Sequence, residues 1–407
     1  PNIRSMGGAI FVMASVLYPY IFLMARSSFI STPLSYYQTS SIYGKNVLIN
    51  VAIPLARPSI VAGLALVLME TISDFGTVDY FGIETLTLGV FNVWLGMNSL
   101  SGAAQISSVL FLIVIILLTL ESIARNKQRF YERSSGQNIA EPLQTNNITG
   151  LIYLFICLIP LVLGFIIPFS ILLNFVLKGF AIINLNEIIW TTLTSISIAV
   201  LASILVMLVS IIMVIVSFYK SNKLQKGLIF LSSCGYAFPG TILAVGVVVF
   251  VGWLNDLIYF HINYFTGGII VLLFAYTLRF LAVGNGAVKS GIIKIDPNII
   301  ASCKIMGFNF FKIIRTMIVP LIYTNILVGG ILIFVDILKE LPMTLLLRPF
   351  NFETLATYVY QYASDEMLEE CSLAALMIVL TGIGPVIFLN SAIKKVGKVK
   401  KSESLIF

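Results

Sequence analysis

Charged residues are scarce in this chain, at 11% of its 407 positions against roughly a quarter in a soluble domain. A deficit of that size excludes an ordinary water-facing globule. Histidine is scarcer still, a single His261, and this excludes a His-cluster metal site. The four cysteines, Cys157, Cys234, Cys303 and Cys371, show no C-x-x-C or paired spacing. That excludes a thiol redox pair and leaves them as small apolar packing residues. No Walker-type phosphate loop, catalytic triad or zinc motif occurs. The chain is therefore not expected to be an enzyme, and neither a cofactor nor a metal site is expected.

What the chain has in abundance is apolar length. Hydrophobic residues make up 58% of it, and the mean hydropathy is +1.00. They gather in stretches of about 20 residues or more, the length a helix needs to cross a hydrocarbon core of about 30 Å. Nine such spans are expected, at 7–26, 55–73, 105–122, 150–176, 190–217, 228–252, 266–286, 316–338 and 370–391. Backbone in lipid must pair within helices or a closed barrel. Unbroken runs such as VLFLIVIILLTL at 109–120 lack the alternation of a barrel strand. The expected fold class is all-α, a polytopic transmembrane helical protein.

The basic residues orient it. Of 25 Lys and Arg, all but Arg4, Lys178, Lys339 and Arg348 fall around 26–57, 123–149, 218–227, 279–315 and 394–401. The positive-inside rule makes those segments and the C-terminus cytoplasmic. The net charge of +7 reflects this asymmetry and gives no support to nucleic-acid binding. Pro1 then lies outside, and His261 sits in a short external loop. A cytoplasmic start would need an odd number of further spans upstream, so the chain is expected to be a fragment.

An internal repeat organises the spans. Loops 27–53 and 287–315 each place a capping residue before a proline, Thr32-Pro33 and Asp296-Pro297, as at a helix start. Each reaches a glycine about ten residues on, Gly44 and Gly307, suited to a left-handed helix end. Each then enters a span at Pro54-Leu55 or Pro320-Leu321. An offset of 266 carries Pro54 onto Pro320, Gly63 onto Gly329, Glu70 onto Asp336 and Asp74 onto Glu340. Glu84-Thr85-Leu86 echoes Glu353-Thr354-Leu355 after a small shift. The repeat is parallel. It reads as the last three spans of a first unit at 1–123, a polar cytoplasmic linker at 124–149, and a complete six-span unit at 150–407.

These loops, with LYPYIFLMARSSF (17–29), IPLARPSIVAGLALVLMETISDFGTVDYFG (53–82), YAFPGTILAVGV (236–247) and KELPMTLLLRPFNFETLATYVYQYASDEMLEE (339–370), carry a resemblance. The chain resembles the permeases of binding-protein-dependent ABC importers, and within them the ferric iron permeases that fuse two such units. The resemblance implies type I permease units in a bacterial inner membrane. It implies two ATPase subunits that hydrolyse ATP, a periplasmic binding protein, and transport of ferric iron. Thiamine and polyamine permeases are related alternatives. The family's coupling loop reads Glu-Ala-Ala, three residues, then Gly. The matching positions are Gln38, Thr39 and Ser40 before Gly44, and Ala301, Ser302 and Cys303 before Gly307. Neither loop keeps the acid, and Ser35 or Ser41 compete for equivalence in the first.

In the second loop, Ile299, Ile300, Cys303 and Met306 recur at helical spacing with Lys304, Lys312 and Arg315 around them. Such a helix suits a groove in another protein or the lipid interface. Glu70 and Asp74, four apart, are expected on one helix face, as are Asp336 and Glu340. Acids at such depth are costly and usually face a cavity or partner. The four are candidates to line the outer mouth of a cation pathway. The alternative is membrane-edge acids or a local pair such as Glu340 with Lys339. Tyr358, Tyr360 and Tyr362 are expected in an aromatic belt rather than as iron ligands. Gly240 after Pro239 marks a kink or a close helix contact. Two rival functions stay open, an ion-coupled secondary transporter and a membrane-embedded enzyme.

Overall fold

The computed structural model describes residues 3–44, 46–126, 147–180, 182–219, 222–258 and 268–403. His261 and most of the 124–149 linker lie outside them. Among the described residues every regular element is helical. The chain divides after Ile171 into two compact units.

The first unit holds α1 (Met6–Ser31), α2 (Leu34–Ile42), α3 (Ile53–Ser73), α4 (Gly76–Tyr80), α5 (Leu86–Phe91), α6 (Leu100–Asn126), α7 (Asn147–Leu161) and the start of α8 (Ile167–Gly179). Helices α1 and α3 meet where Gly63 has no side chain. A Cβ there would come within 2.8 Å of Ile21 Cα. Small residues permit this kind of backbone approach between membrane helices.

The second unit continues with α9 (Leu185–Tyr219), α10 (Lys223–Cys234), α11 (Gly240–Ile258), α12 (Ile269–Ile292), α13 (Pro297–Ile305), α14 (Phe310–Ile313), α15 (Val319–Leu321) and α16 (Tyr323–Leu338). It ends with α17 (Pro342–Leu347), α18 (Leu355–Ser364) and α19 (Leu368–Glu403). Its centre is α9, α12 and α16. Ala199, Ala202, Val206 and Ser210 form a fully buried stripe on α9, with Ser210 set against Gly284 of α12. Gly329 of α16 takes Ala287 of α12 in the same way. The Gly63–Ile21 and Gly329–Ala287 contacts are each 42 residues apart and differ by the offset of 266. These two glycine contacts thus recur at the offset found in the sequence.

Among the described residues seven helices are long and apolar enough to cross a membrane, or eight if Phe310–Leu321 and Tyr323–Leu338, bent by 71°, count as one span. The expected span 228–252 is not continuous. Helix α10 ends at Cys234, a short turn follows, and α11 starts only at Gly240, after Pro239. Proline lacks the N–H that would continue the helix and clashes with the preceding turn. Helix α11 alone has 19 residues and rises about 28 Å. That is a little short of the hydrocarbon thickness of about 30 Å.

Three π turns, Leu48–Ala52, Val162–Ile166 and Ile314–Ile318, share one sequence cause. Each stands just before Pro54, Pro168 or Pro320, with one residue between. The wide turn absorbs the carbonyl that the proline ring displaces and the bond it cannot make.

Candidate functional site

The two loops are built alike. Helices α2 and α13 each run nine residues, and each is followed after one residue by a glycine with positive φ, +64° at Gly44 and +76° at Gly307. Counting back four from each glycine, Ser40 is 7% exposed and Cys303 1%. These two are buried positions of their helices. Gln38, Thr39, Ala301 and Ser302 face outward. Beyond them, Ile42 and Ile305 are 83% and 87% exposed, and Tyr43 and Met306 are exposed as well. Each loop therefore ends in a polar turn and an uncovered apolar pair.

Two sequence expectations change here. The stripe Ile299, Ile300, Cys303 and Met306 does not form one outward face. Ile300 and Cys303 are buried, because a short helix must use one side to hold itself against its unit. Thr32 does not cap α2. Its hydroxyl donates to the Ser28 carbonyl, 2.9 Å, closing α1, and Pro33 takes the N-cap position of α2. Asp296 does cap α13, accepting from the Asn298 amide at 2.9 Å.

The four acids separate into two kinds. Helix α3 ends at Ser73 and Asp74 is extended, with ψ at 132°. It therefore does not share a helix face with Glu70. Asp74 instead caps α4, accepting from the Thr77 amide and hydroxyl, each 2.9 Å, and the Val78 amide. Burial pushes its carboxyl above the usual carboxylate range, and those donors act against the rise. Glu340 does the same for α17, accepting from the amides of Met343 at 3.3 Å and Thr344 at 3.2 Å. The capped positions 77, 78 and 343, 344 again differ by 266. Glu70 and Asp336 lie within α3 and α16. Tyr20 Oη donates to Glu70 Oε1 at 3.4 Å, and Lys339 Nζ pairs with Asp336 at 3.1 Å.

Lys339 thus pairs with Asp336, not with Glu340. The partner of Glu340 is Arg279 of α12, with Nη1 to Oε1 at 3.0 Å, both side chains buried. By sequence Arg279 counted with the cytoplasmic basic set. Its place within α12 and its buried partner remove it from that role. Gly240 lies against this pair, since a Cβ there would meet Arg279 Nη1, Glu340 Oε1 and Pro342. Both expectations for Gly240 hold, a break in the span and a close contact. Nothing in local pattern announces the Arg279–Glu340 pair, because its members are 61 residues apart. The usable signal was an arginine inside an apolar run.

Tyr358 departs from the aromatic-belt expectation. It is buried in a core cluster with Ile183, Ile188, Leu355 and Ala374 and lies against Tyr362 with ring centroids 4.4 Å apart. The α18 start it belongs to is held by Ser195 Oγ, which accepts from the Leu355 amide at 2.7 Å. Cys303 and Cys371 are buried packing residues, while Cys157 is exposed. Among the described residues no group of three or more His, Cys, Asp or Glu is placed to hold a metal ion.

No family model matches the chain. A curated relative does: the Fe(3+)-transport system permease protein FbpB 2 of Haemophilus influenzae is 25% identical over 345 residues. The match takes in 83% of this chain and 66% of the relative, so the chain spans just under two thirds of that protein's length. The resemblance to ferric iron transport permeases, carried by the two loops and the stretches 17–29, 53–82, 236–247 and 339–370, is borne out along most of a polytopic helical membrane chain.

Proposed function

We propose that the chain is the translocation subunit of an ATP-driven importer, conducting ferric iron from a periplasmic binding protein to the cytoplasm of a bacterium. The observation that carries this is the pair of matching loop helices. Each is anchored by one buried side and presents an exposed apolar pair beside a left-handed glycine. A short helix with one free apolar edge fits a groove on another protein, and two such helices fit two ATPase subunits. The ferric iron relative supports the cargo. A cytoplasmic face for both loops and the C-terminus follows from the basic segments.

The test is crosslinking from a cysteine at Ser302 in the full chain with its own cysteines replaced. It should capture an ATPase subunit, and the yield should change with nucleotide. Modification of the same cysteine from outside intact cells would overturn the assignment.

For the pathway, Asp74 and Glu340 serve as helix caps, which makes Glu70 and Asp336 the better candidates for cation contact at the outer mouth. Carboxylates there would raise the local cation concentration where cargo leaves its binding protein. Replacing both, Glu70→Gln with Asp336→Asn, should slow uptake while leaving assembly and basal ATP hydrolysis close to normal. Unchanged uptake would remove them from the pathway.

The break before α11 and the 71° bend before α16 are also features of ion-coupled secondary transporters, the second reading. Uptake that follows an ion gradient and ignores ATP would favour it.

A further inference from the structure

We propose that the buried Arg279–Glu340 pair, together with Tyr276 and Thr344, is the strut that carries movement of the α13 loop helix to the short helix α17. The proposal rests on the importer reading for what moves α13. Helix α12 ends at Ile292 and only residues 293–296 separate it from α13, so a displacement of α13 has a short path to α12. Arg279 lies 13 residues before that end, about 20 Å along the axis. One turn away on the same face, Tyr276 Oη bonds to Thr344 Oγ1. Thr344 Oγ1 donates to the Glu340 carbonyl at 2.7 Å, with Glu340 Oε2 at 3.2 Å, so Tyr276 is the donor to Thr344. Both bonds end on α17 or on the residue that caps it, so α17 is fastened to α12 at two points one turn apart.

Two further observations separate a strut from mere packing. Arg279 Nε is buried without a hydrogen-bond partner among the described residues. The node is thus incompletely satisfied in this arrangement, as a contact that exchanges partners between two states would be. The first unit shows that the fold does not demand the strut. At the offset that carries the Gly63–Ile21 contact onto Gly329–Ala287, Glu340, Thr344, Tyr276 and Arg279 correspond to Asp74, Val78, Ile10 and Met13. The carboxylate cap persists there, while the arginine, the tyrosine and the threonine are replaced by apolar residues. One pseudo-repeat keeps its cap without this charged tie, and the other carries both.

The experiment uses the full chain assembled with its ATPase subunits in proteoliposomes. The double variant Arg279→Met, Glu340→Gln removes both charges but keeps an acceptor for the α17 amides. Gly240→Ala pushes a methyl group into the pair. Gly246→Ala is the control, since nothing lies within 4 Å of a Cβ there. The expected result is normal assembly and ATP hydrolysis with about tenfold less cargo moved per ATP in the first two variants, and no change in the control. Normal cargo per ATP in the assembled double variant would overturn the strut. So would reduced assembly in which the surviving complexes transport at the unmodified rate, because that marks a purely structural pair. If the unmodified chain assembles with no ATPase, the importer reading itself fails and the strut falls with it.

Discussion

At Gly44 and Gly307 the backbone turns left-handed immediately after a loop helix, and nothing crowds either glycine. The requirement there is conformational and not steric. An L side chain in that region costs about 1 kcal/mol or somewhat more. Gly44→Ala and Gly307→Ala should therefore each lower the thermal stability of the purified protein slightly. They should also speed hydrogen exchange at Tyr43 and Met306 specifically. Gly63 and Gly329 present the opposite case, with ordinary φ and no space. Changing either to Ala should weaken packing between α1 and α3 or between α12 and α16, seen as a larger fall in melting temperature than at Gly44 or Gly307. The left-handed glycines were legible in sequence because a helix end next to glycine is a local pattern. The crowded ones were visible as a matched pair, but what crowds them was not.

Among the elements, the short helices α4 and α17 depend on the carboxylates that cap them. A lost N-cap acceptor costs about 1 kcal/mol. Asp74→Ala should accordingly raise hydrogen exchange at the Thr77 and Val78 amides, while Asp74→Asn, which keeps an acceptor, should change it little. Equal exchange in both variants would mean that α4 is held by packing alone. The acids themselves stood out in the sequence, and their spacing of four suggested a shared helix face. That inference failed because it assumed the helix continues past Ser73 and Leu338, where each chain instead turns and starts a new helix. The span starts moved for a similar reason. Leu48–Ala52 and Ile314–Ile318 continue the helices through π turns, and proline residues that look like starts lie within longer helical stretches.

For the whole molecule, the basic segments predict which loops face the cytoplasm. A cysteine at Phe350, fully exposed between Arg348 and Glu353, should react with a membrane-impermeant maleimide in intact cells. A cysteine at Ser302 should react only after permeabilisation. The reverse pattern would invert the topology. The all-α membrane class was determined by the sequence alone, because apolar run length is a property of contiguous residues; the parallel repeat and the orientation are expectations read from recurring punctuation and charge placement. Only the tertiary structure decided that Glu340 belongs to Arg279 and not to Lys339, that Cys303 is buried, and that Pro239 breaks a span around Gly240. Each of those depends on which helix faces pack together, and a buried charge, a small residue and a broken helix acquire their meaning from partners tens of residues away.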